Sequence, residues 1–334
     1  MAYDSNGVWT NLPSYHVNTG DTLLPSSQNP VWEDAATNGF SAVLVKDGRA
    51  PMTGNLNMGT TNKITNLAAG TSPTDAVNKT QLDPIAILSR GQIFGLKLSN
   101  NTTDATNDID IAIGDAASDD AIPSLLSLAS ALTKRMDAAW AAGNNQGGWL
   151  DGASMPNGTG HVFIMSGASG VDVGVSASLS PILPAGYNTA KRRIGSILRE
   201  GGAIVAFTQD GDIFRRAAKV DRNSTAALAS SLLTLSIPTG IRVQPILQSE
   251  LTVTAANSAV QNAVGSASEG SATITFQAVL LPGTAGATTD RSVFPAVFTS
   301  NTAAQVYYAV TISAGSINSN TLSTIGWIDG RGRS

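Results

Sequence analysis

The segment PMTGNLNMGTTNKITNL, residues 51–67, sets the strictest condition on how this chain folds. Leu56 and Met58 alternate with Asn55 and Asn57, a Gly-Thr-Thr-Asn turn follows, and Ile64 and Leu67 resume beside further asparagines. Such alternation gathers the apolar groups on one face of a ribbon. The ribbon is too polar to be the core of its own domain and too patterned to be a linker. Its apolar side chains need neighbours that one copy does not supply.

The flanking segments are equally thin in core. Residues 1–28 read as irregular, with Trp9 and Tyr15 as anchors. Asn29-Pro30 pairs an N-cap with proline at the first helical position, and Trp32, Ala36, Phe40 and Val43 then share one helical face before Asp47-Gly48. After the ribbon, Ser72-Pro73-Thr74-Asp75 predicts a second helix, capped by Ser72 and closed before Pro84. Short helices around a polar ribbon suit an attachment stalk, and the apolar stripe of the first helix calls for a partner, either the rest of the chain or copies of itself.

From Ile93 the pattern becomes that of strands. Asp108–Ile113 alternates strictly, predicting Ile109, Ile111 and Ile113 inward. Val162/Ile164 and Val171/Val173/Val175 repeat that period, while 125–142 fits either a helix or, through Ser-Leu-Ser-Leu, a strand. Residues 194–214 read as three strands separated by turns at Glu200-Gly201-Gly202 and Asp210-Gly211. The glycines and asparagines of 143–160 predict an exposed loop. After Arg222, short strands at regular spacing predict a sandwich or jelly-roll. The expected fold is mainly β: an attachment segment (1–50), a self-associating ribbon and short helix (51–92), a β-rich middle domain (93–222) and a C-terminal β-sandwich (223–334).

Composition narrows the function. Charged residues make up 13% of the chain, against about a quarter in ordinary globular domains. A net charge of −4 argues against nucleic-acid binding, which needs clustered cations. The basic run Lys191-Arg192-Arg193, with Arg215-Arg216 facing it, reads as a solvated or interface face. No cysteine is present, which excludes disulfides and thiolate chemistry. No secretory signal and no apolar run long enough to span a membrane is visible, so synthesis in a cytoplasm and no membrane insertion are expected.

Chemistry finds few candidates. The two histidines, His16 and His161, lack nearby partners for a nucleophile pair or zinc site. Polysaccharide cleavage needs two carboxylates about 5–10 Å apart, but the four glutamates, Glu33, Glu200, Glu250 and Glu269, are scattered. Asp104, Asn107, Asp108 and Asp110 offer hard oxygen ligands suited to calcium, although their spacing fits a turn and the solvent face of a strand. No catalytic residue, metal or cofactor is expected. Among the aromatics, Trp149 and Tyr187 are the candidates for receptor contact, and Trp140 and Trp327 read as core.

Three segments resemble tail-fibre proteins of tailed bacteriophages: the head, MAYDSNGVW with MTGNLNMGTTNKITNL and TDAVNKTQLD; the middle, LSNNTTDATNDIDIAIG with KRRIGSILREGGAIVAFTQDGDIFRR; and the terminal STIGWIDGRGR. The resemblance implies a homotrimer in the virion, docked by its N-terminus on the phage tail or baseplate. Its β domains would face a host glycan or outer-membrane receptor. Trp32, Phe40, Leu56, Met58, Ile64 and Leu67 are then the candidate trimer-interface residues. No fixed-period shaft repeat is present, which favours a short fibre or an adaptor carrying a separate receptor-binding protein over a long fibre. A depolymerase spike is the remaining alternative.

Overall fold

The computed structural model describes Ala2–Tyr3, Trp9–Thr10, Asn55, 59–82 and 91–334, apart from 255–257, 282–286, 295–297, 314 and 334. The chain divides into two units, Met1–Ala68 and Ala69–Ser334. In the first, β1 (Ala2–Tyr3) pairs with β2 (Trp9–Thr10) in a stretch expected to be irregular. Residues 59–68 form a turn and an extended run, exposed throughout.

The second unit is almost wholly β. After a helical turn at 79–82 come β3 (Ile93–Gly95), β4 (Leu98–Asn100), β5 (Asp108–Ile111), β6 (Gly114–Ala117), β7 (Leu125–Leu128), β8 (Leu132–Ala139) and β9 (Gln146–Trp149). Then follow β10 (Gly158–Gly167), β11 (Gly170–Ser176), β12 (Ala190–Glu200), β13 (Ala203–Ile204), β14 (Phe207–Asp210) and β15 (Ile213–Ser224). The last are β16 (Leu228–Thr234), β17 (Gln244–Thr254), β18 (Ser258–Gly265), β19 (Ile274–Leu281), β20 (Ala287–Phe294), β21 (Gln305–Ile312) and β22 (Ser316–Ile328).

An eight-stranded sheet, ordered β13-β12-β10-β11-β9-β8-β5-β4, forms the middle layer. It curls until Leu98 on β4 lies against Gly195 on β12, where a Cβ would come 2.7 Å from the leucine. Ile109, Ile111, Val162, Ile164, Val173 and Val175 are fully buried, as their alternation predicts. Ile113 is not: β5 ends at Ile111 and Ile113 stands 59% exposed. The ambiguous 125–142 resolves as strands β7 and β8, because Leu126 and Leu128 enter the core while Leu125 and Ser127 face outward. A three-stranded sheet, β3-β6-β7, carries these leucines, while β8 belongs to the eight-stranded sheet.

The C-terminal part is a sandwich of a five-stranded sheet (β14-β15-β22-β17-β20) and a four-stranded sheet (β16-β21-β18-β19). Leu247, Leu251 and Leu322 meet Val260, Val306 and Tyr308 in its core. A buried amide network pins the two sheets. Asn320 accepts from the Tyr308 hydroxyl and from Arg222, donates to Asn262, and Asn262 donates to Ser249. A network with every member bonded fixes the register of the sheets it joins. Strand β15 runs through the expected boundary at 222/223, because it pairs with β22 over most of its length.

The expected loop of 143–160 is in part a strand. β9 lies parallel between β8 and β11, and Gly147 and Gly148 are buried in it. The glycines serve close approach, not turning. A Cβ on Gly147 would stand 1.8 Å from the Ala139 carbonyl oxygen, whereas one on Gly330 meets nothing within 4 Å. Gly147→Ala is therefore expected to destabilise by at least about 1–3 kcal/mol and Gly330→Ala by no more than about 0.5 kcal/mol. Chemical denaturation of the two variants checks this.

Candidate functional site

The stalk-like segment satisfies its polar groups but not its apolar ones. Asp75 reaches back as expected: its Oδ2 accepts from the backbone N–H groups of Thr71 and Ser72, both at 2.8 Å. Those bonds hold its carboxyl below the usual range. The helix, however, starts at Asn78 and not Ser72. Asn78 Oδ1 accepts from the Gln81 N–H at 3.0 Å and Gln81 Oε1 accepts from the Asn78 N–H at 3.2 Å, a reciprocal capping box. Gln81 also grips both backbone groups of Gly70. A Cβ on Gly70 would lie 3.0 Å from the Ala76 carbonyl, so glycine permits that closure.

The apolar side chains of this region stand in water. Ile64 is 60% exposed and Leu67 39% in the first unit; Val77 is 64% and Leu82 55% exposed in the second. Of the expected interface residues, Ile64 and Leu67 are thus available. Trp32, Phe40, Leu56 and Met58 lie outside the described residues, as does His16.

The expected receptor contacts separate. Trp149 is only 4% exposed, held between β8 and β11, and is a core residue. The glycines beside it suggested a loop tip but are the reason it sits in a tightly approached strand. Tyr187 is half-buried, with its ring edge-on to Trp140 at 5.3 Å. The Trp140 indole N–H donates to the Val173 carbonyl, and Lys134 lies over its ring. Lys134 is itself fully buried, ion-paired to Asp172 and bonded to the carbonyls of Ala141 and Gly143. Trp327 is core, stacked on Phe214.

The basic run is not a solvated face. Arg192 and Arg193 are 3% and 7% exposed. Arg193 makes a bidentate pair with Asp329, 2.6 and 2.7 Å, and its Nη1 also donates to Ser196. No local pattern signals this pair, since the partners lie 136 residues apart. A bulge in β12 opposite Val162 and Phe163 brings Arg193 and Ser196 to one side of the strand. There Ser196 also bonds His161 Nδ1 at 2.9 Å. Ser196 accepts from Arg193 and has both a hydrogen and a second lone pair for Nδ1, and burial, which lowers the His161 pKa to about 4, keeps the ring neutral at neutral pH. Of Arg215-Arg216, Arg215 is exposed and Arg216 pairs with Glu200, so neither faces the run.

Arg192 leaves β12 toward a second group of charges. Its Nη1 donates to Asp119 at 3.0 Å, and Asp119 also meets Lys191 at 3.6 Å. Its Nε and Nη2 are buried without a hydrogen-bond partner. An unpaired buried donor costs about 1–3 kcal/mol. Burial, with Arg193 and Arg333 nearby, lowers the Arg192 pKa against the pull of Asp119. A cavity of about 470 Å³ opens beside it, lined by Gly91, Ser118, Asp119, Asp120, Arg192 and Arg333 among others. A second, of about 510 Å³, shares Asp119 and Gly332 and reaches Phe163, Arg193 and Asp329.

The acidic cluster is engaged locally. Asp104 accepts from Thr106 and from the backbone and side chain of Asn107, and Asp110 accepts from Asn101 and Thr133. Asp108 has one buried unpaired oxygen, and burial raises its pKa.

The family model for the coiled stalk of trimeric autotransporter adhesin matches residues 63–86. That span begins inside the ribbon and contains the Asp75 and Asn78–Gln81 bonds. The match supports a trimeric, fibre-like stalk at this position. No curated protein matches the chain. Structures of infectious bursal disease virus, Gx and Gt strains, align at 13% and 10% identity with TM-scores of 0.17 and 0.14. They cover 70% and 69% of this chain and 71% and 68% of theirs, and at such scores they carry no argument.

His161 gives a pH test. Burial, then Arg193, lowers its pKa from 6.5 to about 4, against the opposing effect of Asp329. The unfolded chain therefore takes up this proton first. The stability from neutral His161 is fully present above about pH 6.5, is lost as pH falls toward 4, and changes no further below. The difference is roughly 3 kcal/mol at about 1.4 kcal/mol per pKa unit. Denaturation curves of wild type and His161→Gln between pH 8 and 3.5 are expected to converge or cross by that amount within this window.

Proposed function

We propose that the chain is a virion structural protein, a homotrimeric tail fibre of a tailed bacteriophage, attached through its N-terminus and presenting its β domains to the host surface. The observation that carries the reading is the imbalance at 63–82. One chain bonds the polar groups of Asp75, Asn78 and Gln81, yet leaves Ile64, Leu67, Val77 and Leu82 exposed. Three copies about an axis would cover them, at about 25 cal/mol for each Å² of apolar surface removed from water. The stalk match over the same residues supports that stoichiometry. The fibre resemblance of the head, middle and terminal segments supports the virion.

The reading is non-enzymatic and free of cofactors. Glu200 is held by Arg216 and Lys219, and Glu250 by Arg291, which suits structural carboxylates better than a cleaving pair. The lack of a fixed-period shaft repeat favours, as a second reading, a short adaptor carrying another receptor-binding protein.

Sedimentation of the purified chain is expected to give three times its 34.2 kDa. The double variant Val77→Asp/Leu82→Asp is expected to give the single-chain mass with an unchanged β circular-dichroism spectrum. A monomeric wild type overturns the trimer. Deleting residues 1–50 separates fibre from adaptor: a fibre so truncated still adsorbs to host cells and blocks infection, whereas an adaptor does neither.

A further inference from the structure

We infer that the cleft beside Arg192 is a binding site for an acidic sugar, with the sugar carboxylate on the Nε–Nη2 edge of that arginine. The inference rests on the host-adsorption reading and gives its receptor a chemical class.

The arginine is 3% exposed, and one of its three nitrogens is bonded, to Asp119. The two unbonded nitrogens, Nε and Nη2, form the planar fork that takes a carboxylate through two parallel bonds. A buried donor edge without an acceptor is otherwise a standing cost. Such an edge calls for an explanation, and beside an open cavity a ligand that completes it is one.

Charge selects the ligand. Lys191, Arg192, Arg193, Arg331 and Arg333 gather here with Asp119, Asp120, Asp212 and Asp329, and Arg242 lines the second cavity. Six cations against four carboxylates leave the cleft net positive, so it takes an anion, while Asp119 and Asp120 on its wall oppose a compact phosphate dianion that has no hydroxyls to offer them. Arg193 is fully engaged by Asp329, and Arg331 and Arg333 share Asp212, which leaves Arg192 as the buried cation of the cleft short of an acceptor.

The remaining wall asks for donors. Asp119 and Asp120 are exposed, and Ser118 donates to Asp120 at 2.7 Å. Carboxylates on a cavity wall accept hydrogen bonds, which sugar hydroxyls give. One carboxylate among several hydroxyls is the chemistry of a uronic or sialic acid. The two cavities, of about 470 and 510 Å³ and sharing Asp119 and Gly332, fall in the usual range for small-ligand sites, about 300–1,000 Å³. Because the unbonded nitrogens are covered, the ligand reaches them by displacing Arg333, a group on the same wall whose side chain is 34% exposed.

Calorimetric titration of the full chain with sodium glucuronate, N-acetylneuraminate, glucose and inorganic phosphate tests this. One or both acids are expected to bind saturably, glucose and phosphate not. Arg192→Lys, which keeps charge without the fork, is expected to weaken the acid at least tenfold. Asp120→Asn, at an exposed position and therefore safe for folding, is expected to admit phosphate. Absence of acid binding by the wild type overturns the inference, as does equal binding of phosphate and acid, or an Arg192→Lys protein that binds as the wild type does. Each of those results can occur with an intact trimer, whereas failure of the fibre reading shows in the sedimented mass.

Discussion

The bidentate pair of Arg193 with Asp329 holds the middle sheet to the end of the sandwich. Neither group survives burial alone, since an unpaired charge there would cost several kcal/mol. Their geometry therefore dictates what surrounds them. Ser196 accepts from Arg193 and shares a hydrogen bond with the buried, neutral His161, and the Arg331 N–H donates to Asp329 Oδ1. The bulge in β12 exists where Arg193 and Ser196 have to share one side of a strand. Arg192, on the next position, is thereby turned toward Asp119 and the cleft. One ion pair thus places a titrating histidine, a strand irregularity and an incompletely bonded guanidinium.

The stalk obeys a different constraint. In the sheets, burial and hydrogen bonding are satisfied together by the same strands. At 63–82 they are divided: hydrogen bonds are local, closed by Asp75, Asn78 and Gln81, while burial is deferred to other copies. The bonded stretch 70–82 keeps its shape before it meets a partner, so little ordering remains to be done there on association.

How far the sequence showed this depends on the range of each interaction. Period-2 strands were plain at 108–111, 162–164 and 171–175, because a strand's two faces are written in neighbouring residues. The hairpin at Gly201-Gly202 and the turn at Gly211 were equally local. Lys191-Arg192-Arg193 misled because burial of a charge is decided by a partner, and Asp119 and Asp329 stand 73 and 136 residues away. Trp149 misled because glycine serves both turns and close strand approach, and only the Ala139 carbonyl beside Gly147 distinguishes them. The helix start moved from Ser72 to Asn78 because Asp75 spends its carboxylate on a turn. The ribbon was readable as a demand for neighbours, whereas the Arg192 cleft left no local trace at all.

Strand β22 has a consequence for synthesis. It lies between β15 and β17 in the five-stranded sheet, bonded to both, yet every other strand precedes it along the chain. As the polypeptide emerges, β15 and β17 each wait with an open edge, and open edges recruit strands from other molecules. The sandwich closes only when residues 316–328 arrive, followed by Asp329. On a polysome, where sister chains emerge from neighbouring ribosomes, that delay favours a stalk that gathers copies without joining their sheets by mistake.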